Sequence, residues 1–238
     1  MNRVSLSVNR RQFQCLILFS LLFGLLALTG CANTPLYTID IRYTPTKVPA
    51  APDAAVKKKV FTVANFIDSR TIDDPRKLGY VLMPDGQKVF VLPKTVMAKE
   101  AVAAGMRDYL YKAGYSVSGV RPNWDLRDET IGANWGDIVI GGTINKLEII
   151  CDDSQTLSPV KKYSAIINLG FTLADGAAKK TVYKTSVEGS ASLTDVSTST
   201  EKLAGQLESQ LNGVLSDVIE KFFTGSEFQQ QLKKVTAK

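Results

Sequence analysis

Tyr163, Ala165, Ile167, Leu169, Phe171 and Leu173 alternate over eleven residues, Asp175-Gly176 follows, and Tyr183, Thr185, Val187, Gly189, Ala191 and Leu193 repeat the period. A period of two sustained this long belongs to a strand, since a helix would scatter those side chains around its axis. Two such runs joined by a D-G turn predict a long antiparallel hairpin with one apolar face. That face needs a cover.

The chain offers two covers. Leu203, Leu207, Leu211, Val214, Val218 and Phe222 form a stripe at the helical period, widened by Leu215, Ile219 and Phe223. Thr198 and Glu201 fit a capping box at its start, and Gly225 stops it. A second stripe, Ala98, Val102, Met106, Tyr109 and Ala113, predicts a helix from Thr95 to Gly114, with Gly105 allowing close approach to a sheet. Two one-sided helices and a one-sided sheet predict an α+β fold: a mainly antiparallel sheet with two long amphipathic helices on one face.

The remaining strands read from local signals. Val60–Ile67 is apolar with little alternation, as in a central strand covered on both faces. Asp85-Gly86 lies between Tyr80–Leu82 and Val89–Leu92, a hairpin signal. Tyr115–Val117 is a short strand. Ile138–Ile144 and Leu147–Cys151 have opposite parity, which predicts a bulge near Asn145-Lys146. Gly141-Gly142 falls inside that pattern and is no phosphate loop. Ser226–Lys234 is a small terminal helix.

At the start of the chain, Arg3, Arg10 and Arg11 precede an apolar run from Cys15 to Leu28. This is the order of a secretory signal. The run has about the length of a marginal membrane span, roughly 17–25 residues, but Ser20, Gly24 and Thr29-Gly30 break it. Leu28-Thr29-Gly30-Cys31 resembles the lipobox of bacterial lipoproteins. The resemblance implies cleavage before Cys31, lipidation of its sulfur with diacylglycerol, and acylation such as palmitate on the new amine. Ala32, in place of an inner-membrane-retaining Asp, leans toward the outer membrane. The expected organisation is a cleaved signal over 1–30, a lipidated tether over 31–57 and an α+β domain over 58–238.

The tether contains Pro35, Pro45, Pro49 and Pro52, an extended composition. Within it Tyr37, Ile39, Ile41 and Tyr43 alternate with polar residues and predict an edge strand, 37–43. If that strand docks, the free tether is short. An exposed edge could recruit a partner strand. A second exposed-looking feature is the irregular stretch 119–136, with Trp124 and Trp135 among Arg121, Asp125, Arg127, Asp128 and Glu129. It can anchor a loop to the body, form a partner surface or stack a sugar. The candidate partner surface is therefore Trp124, Trp135, Tyr37, Ile39, Ile41 and Tyr43.

Composition narrows the chemistry. The chain has no histidine, which excludes Ser-His-Asp and Cys-His catalysis and imidazole metal sites. Removing the three signal arginines from 29 basic residues leaves 26 against 23 acidic, a net charge of +3. Lysines occur as Lys57-Lys58-Lys59 and scattered pairs rather than as a nucleic-acid-binding face. Cys151 is the one cysteine outside the signal and lipobox, so no intramolecular disulfide is expected. It reads as a small buried hydrophobe, with a reactive thiol or intermolecular disulfide as the alternative. Asp152-Asp153 with Ser154, and Asp125, Asp128 and Glu129, supply carboxylates without a partner at catalytic or metal-binding spacing. No catalytic residue, metal, cofactor or nucleic-acid partner is expected.

The lipobox, Val63-Ala-Asn-Phe-Ile-Asp68-Ser-Arg70 with Leu78-Gly79, Ala113-Gly114-Tyr115, Asp137–Ile144 and Leu211–Ile219 together resemble the YajG-type family of envelope lipoproteins. The resemblance implies a periplasm-facing lipoprotein and supplies no catalytic residues. The expectation is a membrane-anchored accessory or scaffold subunit of an envelope complex that binds an envelope protein partner. The alternative is a carrier of lipid or glycan.

Overall fold

Ile138–Asp152 runs for fifteen residues, and the sheet is built outward from it. The computed structural model describes residues 36–49, 51–155, 160–196 and 199–237. The signal run, Cys31 and Thr198 lie outside the described residues. In chain order the elements are β1 (Tyr37–Ile39), α1 (Ala54–Lys57), β2 (Val60–Val63), β3 (Ile67–Asp68), β4 (Gly79–Leu82), β5 (Lys88–Pro93), α2 (Ala98–Ala113), β6 (Ser116–Val117), β7 (Ile138–Asp152), β8 (Val160–Asp175), β9 (Lys180–Val196), α3 (Thr200–Thr224) and α4 (Ser226–Thr236).

On one side β7 pairs antiparallel with β8 along its whole length, and β8 pairs antiparallel with β9. On its other side β7 takes three short strands end to end, all parallel: β2 against Ile138–Ile140, β3 against Thr143–Ile144 and β4 against Ile149–Asp152. The sheet then branches, β2 to β6 and β4 to β5 to β1. The α+β class is as expected. The sheet is mixed: the long pairings are antiparallel and most short ones parallel.

Local sequence explains these elements. The expected bulge lies between Ile144 and Lys146. Gly86 at φ +80° closes the β4–β5 hairpin. Gly114 at φ +85° ends α2, its N–H returning to Leu110 and Tyr111. The start of α2 moves from Thr95 to Ala98, because the Thr95 hydroxyl donates to Asp40 Oδ1 at 2.9 Å and caps nothing. The cap of α3 moves from Thr198 to Ser199, whose Oγ accepts the Lys202 N–H at 3.1 Å.

The main core lies between the sheet and α2, α3 and α4. From α3, Leu207, Leu211, Leu215, Ile219, Phe222 and Phe223 are buried, each contributing roughly 1.5–3 kcal/mol of gross burial against chain entropy. Phe222 stacks on Phe171 of β8 at 4.0 Å and Phe223 on Tyr109 of α2 at 4.3 Å, so α3 touches both other layers. A Cβ at Gly105 would lie 3.0 Å from Ile219 and 3.1 Å from Tyr43. This glycine therefore serves contact with α3 and the 37–46 segment, not with the sheet.

Candidate functional site

Beyond β1 the chain stays extended and runs along α3. The N–H groups of Asp40, Arg42, Thr44 and Thr46 donate to Glu208 Oε2 (3.1 Å), Asn212 Oδ1 (3.0 Å), Ser216 Oγ (3.0 Å) and Glu220 Oε1 (2.8 Å). Asn212 also donates back to the Asp40 carbonyl at 2.9 Å. The two repeats match: two extended residues advance about 6.6 Å and four helical residues about 6.0 Å. Helix side chains thus replace the next strand of the sheet. Ile41 and Tyr43 turn inward between the rungs, and the Tyr43 hydroxyl donates to Glu220 Oε1 at 3.1 Å. Burial, and then the Glu220 carboxylate, hold that phenol well above its ordinary value.

This corrects two expectations. Tyr37, Ile39, Ile41 and Tyr43 are all buried, so their side chains form no partner surface. β1 is a sheet edge as expected, but the strap that continues it has its outward donors occupied and offers nothing to an incoming strand. Residues 36–46 therefore belong to the folded unit Leu36–Lys238 rather than to a loose tether.

The tryptophan loop lies on the opposite face of the sheet. Trp124 is 1 % exposed and packs with Ala64, Ile131, Val139 and Ala174, with Leu126 and Trp135 closing the cluster. Its indole N–H donates to the Arg127 carbonyl at 2.9 Å. Gly141 makes the room: a Cβ there would sit 2.7 Å from the Trp124 ring. Leu126 holds φ +67°, a conformation costing a branched residue about 1–3 kcal/mol, offset here by the packing of its side chain. Asp128 accepts from the N–H of Thr181 at 2.9 Å and ties the loop to β9. The Arg127 and Thr130 hydrogen bonds hold the Asp125 carboxyl at about 2. The loop is an anchor. Trp124 offers no face to a partner or sugar, and Trp135 is half-buried against the same cluster.

The Asp68–Arg70 motif is also structural. Arg70 donates to both Asp68 oxygens (2.8 and 2.7 Å) and to the carbonyls of Lys77 (2.9 Å), Leu147 (3.2 Å) and Pro75 (2.9 Å). One guanidinium fork thereby fixes the 69–78 loop to β7. Burial pushes the Asp68 carboxyl up, but Arg70 outweighs it and the net shift is downward. At Gly79 a Cβ would fall 1.7 Å from the Ile149 carbonyl oxygen. Motifs that carried the family resemblance are thus accounted for by packing.

Two surfaces of the sheet bear on binding. On the face away from the helices, the register aligns Phe90, Tyr80, Ile150, Ser164 and Ser192 in one row across β5, β4, β7, β8 and β9. A cleft of about 570 Å³ beside Tyr80 and Phe90 adjoins one of about 440 Å³ over Ile150 and Ile166, and Lys146 and Glu148 line both. Lys77 sits 4.0 Å over the Phe90 ring and Lys88 4.3 Å over Tyr80. The second surface is the outer edge of β9. Among the described residues no strand pairs with it, and it is about 55 Å long at the usual rise.

The remaining chemical candidates are accounted for. Cys151 is buried and burial pushes its thiol up to about 11, which removes the reactive-thiol and intermolecular-disulfide alternatives. Asp152 accepts from Ser154 and Asp153 pairs with Lys161. Among the described residues no three acidic or cysteine side chains gather as a metal site, and no helix is long and apolar enough to cross a membrane.

Sequence reasoning passed over Glu208, Asn212, Ser216 and Glu220. Their signal is a polar row at four-residue spacing beside the apolar stripe of α3.

No protein-family model and no curated protein matches the chain. Solved structures similar to it include protein XCC0632 from Xanthomonas campestris, of family DUF330, at 18% identity and TM-score 0.48 over 83% of this chain and 99% of that one. Lipoprotein GNA1162 from Neisseria meningitidis matches at 16% identity and TM-score 0.32 over 66% of this chain and 98% of that one. The PelC dodecamer from Paraburkholderia phytofirmans matches at 14% identity and TM-score 0.32, over 74% and 93%. At these values the likeness carries no functional argument, and the YajG-type resemblance rests on its motifs.

Proposed function

We propose that the chain is a lipid-anchored, periplasm-facing envelope lipoprotein that serves as a non-catalytic accessory or scaffold subunit by binding protein. The observation that carries the binding role is the contrast between the two sides of the fold. The strap that continues β1 is closed by four side chains of α3, whereas among the described residues no strand pairs with the outer edge of β9, and its contacts lie near the ends, at Thr181 and Val196. Such an edge recruits protein through main-chain hydrogen bonds.

The anchor is Cys31, and Ala32 favours the outer membrane. Four residues lie between Cys31 and Leu36, where the folded unit begins. The five steps from Cys31 to Leu36 span at most about 18 Å, so an anchored body works close to the bilayer. Cys31→Ser tests this reading: the protein should leave the membrane fraction and function should be lost. Full function from an unlipidated, soluble form would contradict it.

A carrier of lipid or glycan is the second reading, favoured by the two adjoining clefts beside Tyr80 and Phe90. Native mass spectrometry of the detergent-free mature chain separates the two: a bound lipid or glycan supports the carrier, and a clean apo mass supports the scaffold.

A further inference from the structure

Between Val182 and Thr194 the outer edge of β9 meets neither a strand nor a capping side chain among the described residues. Near its ends, Thr181 gives its N–H to Asp128 and Lys202 reaches the Val196 carbonyl. The stretch between contains no proline, and the single register shift of the β8–β9 pair lies at Leu173/Ala174, beside the turn. Proteins normally blunt such an edge. Here a bulge leaves Val182 unpaired near the turn, and beyond it the devices present are two charges, Lys184 and Glu188.

Its charges select an occupant. Lys184 and Glu188 are the only charged residues between Val182 and Thr194, both exposed on the same face, and Ser186 lies midway between them. A strand pairing antiparallel with a copy of itself turns about a two-fold axis. An axis on Lys184 sets lysine against lysine, and one on Glu188 sets glutamate against glutamate. An axis on Ser186 sets each Lys184 opposite a Glu188 and brings two small side chains together at the centre. It is the only two-fold register that pairs both charges.

We propose that β9 pairs antiparallel with β9 of a second copy of this chain about a two-fold axis at Ser186, continuing the sheet through both molecules. The proposal deepens the protein-binding reading by naming the partner, and rests on the β9 edge being the interface.

The test uses the full chain purified from membranes in detergent. Residues opposite each other in an antiparallel pair have Cα atoms about 4.5–5.5 Å apart, within disulfide reach. Ser186→Cys should therefore give a covalent dimer on mild oxidation, absent from the parent chain. Ser192→Cys should not, because its counterpart is Lys180. Lys184→Glu and Glu188→Lys should each raise the dimer dissociation constant roughly tenfold, and the double exchange should restore it. A monomer throughout, equal crosslinking at Ser192, or no restoration overturns the proposal. A monomer that crosslinks from β9 to a different protein overturns the second copy while leaving the scaffold reading standing.

Discussion

Asn212 of α3 accepts the Arg42 N–H at 3.0 Å and donates to the Asp40 carbonyl at 2.9 Å, so one helix side chain pairs with the strap as a neighbouring strand would. Asn212→Ala strands one donor and one acceptor and should cost about 2 kcal/mol. Chemical denaturation measures it. Ser209→Ala, on the exposed face of the same helix, should stay within about 0.5 kcal/mol. Equal losses would show that the rung contributes nothing.

The Asp68–Arg70 pair should give the protein an acid-sensitive component. The folded carboxyl lies below its ordinary value, so the folded state favours the ionised form. That stability is fully present above about pH 4 and is lost as pH falls through the folded value. Asp68→Asn should destabilise by roughly 3 kcal/mol at pH 7 and flatten the fall below pH 4. An unchanged acid limb would contradict this.

Two glycines should respond oppositely. Gly79→Ala drives a methyl into the Ile149 carbonyl and should cost about 3 kcal/mol. Gly213 sits within α3 with open space around its Cβ position, so Gly213→Ala should stabilise by about 0.5–1 kcal/mol. Thermal melts read both.

Cys151 should be silent in the native state. With its thiol buried and pushed up to about 11, it should not react with an aromatic disulfide reagent at pH 8, and should react fully in denaturant. Rapid native labelling would mean that β7 opens at its end.

The long elements were legible because their periodicity is a burial pattern: the 163–173 and 183–193 alternation and the stripe from Leu203 to Phe222 correspond to β8, β9 and α3. Turn glycines and the Ile144/Lys146 bulge followed from backbone geometry. Which surfaces stay exposed was not legible. Alternation marked Tyr37, Ile39, Ile41 and Tyr43 as a strand, but only the fold shows α3 covering the strap beyond it. Trp124 among charged residues resembled a surface, because Gly141, which receives its ring, lies seventeen residues away. The β9 edge left no mark at all, since strand alternation reports faces and is blind to edges.

Site-specific photo-crosslinking in cells tests the central claim most directly, with one probe at Ser190 on β9 and a control at Thr44 on the strap, followed by mass spectrometry of purified membranes. Dominant protein adducts from Ser190, with none from Thr44, are the expected result. Adducts from Ser190 to lipid or glycan alone, or protein adducts from Thr44 instead, would contradict the account.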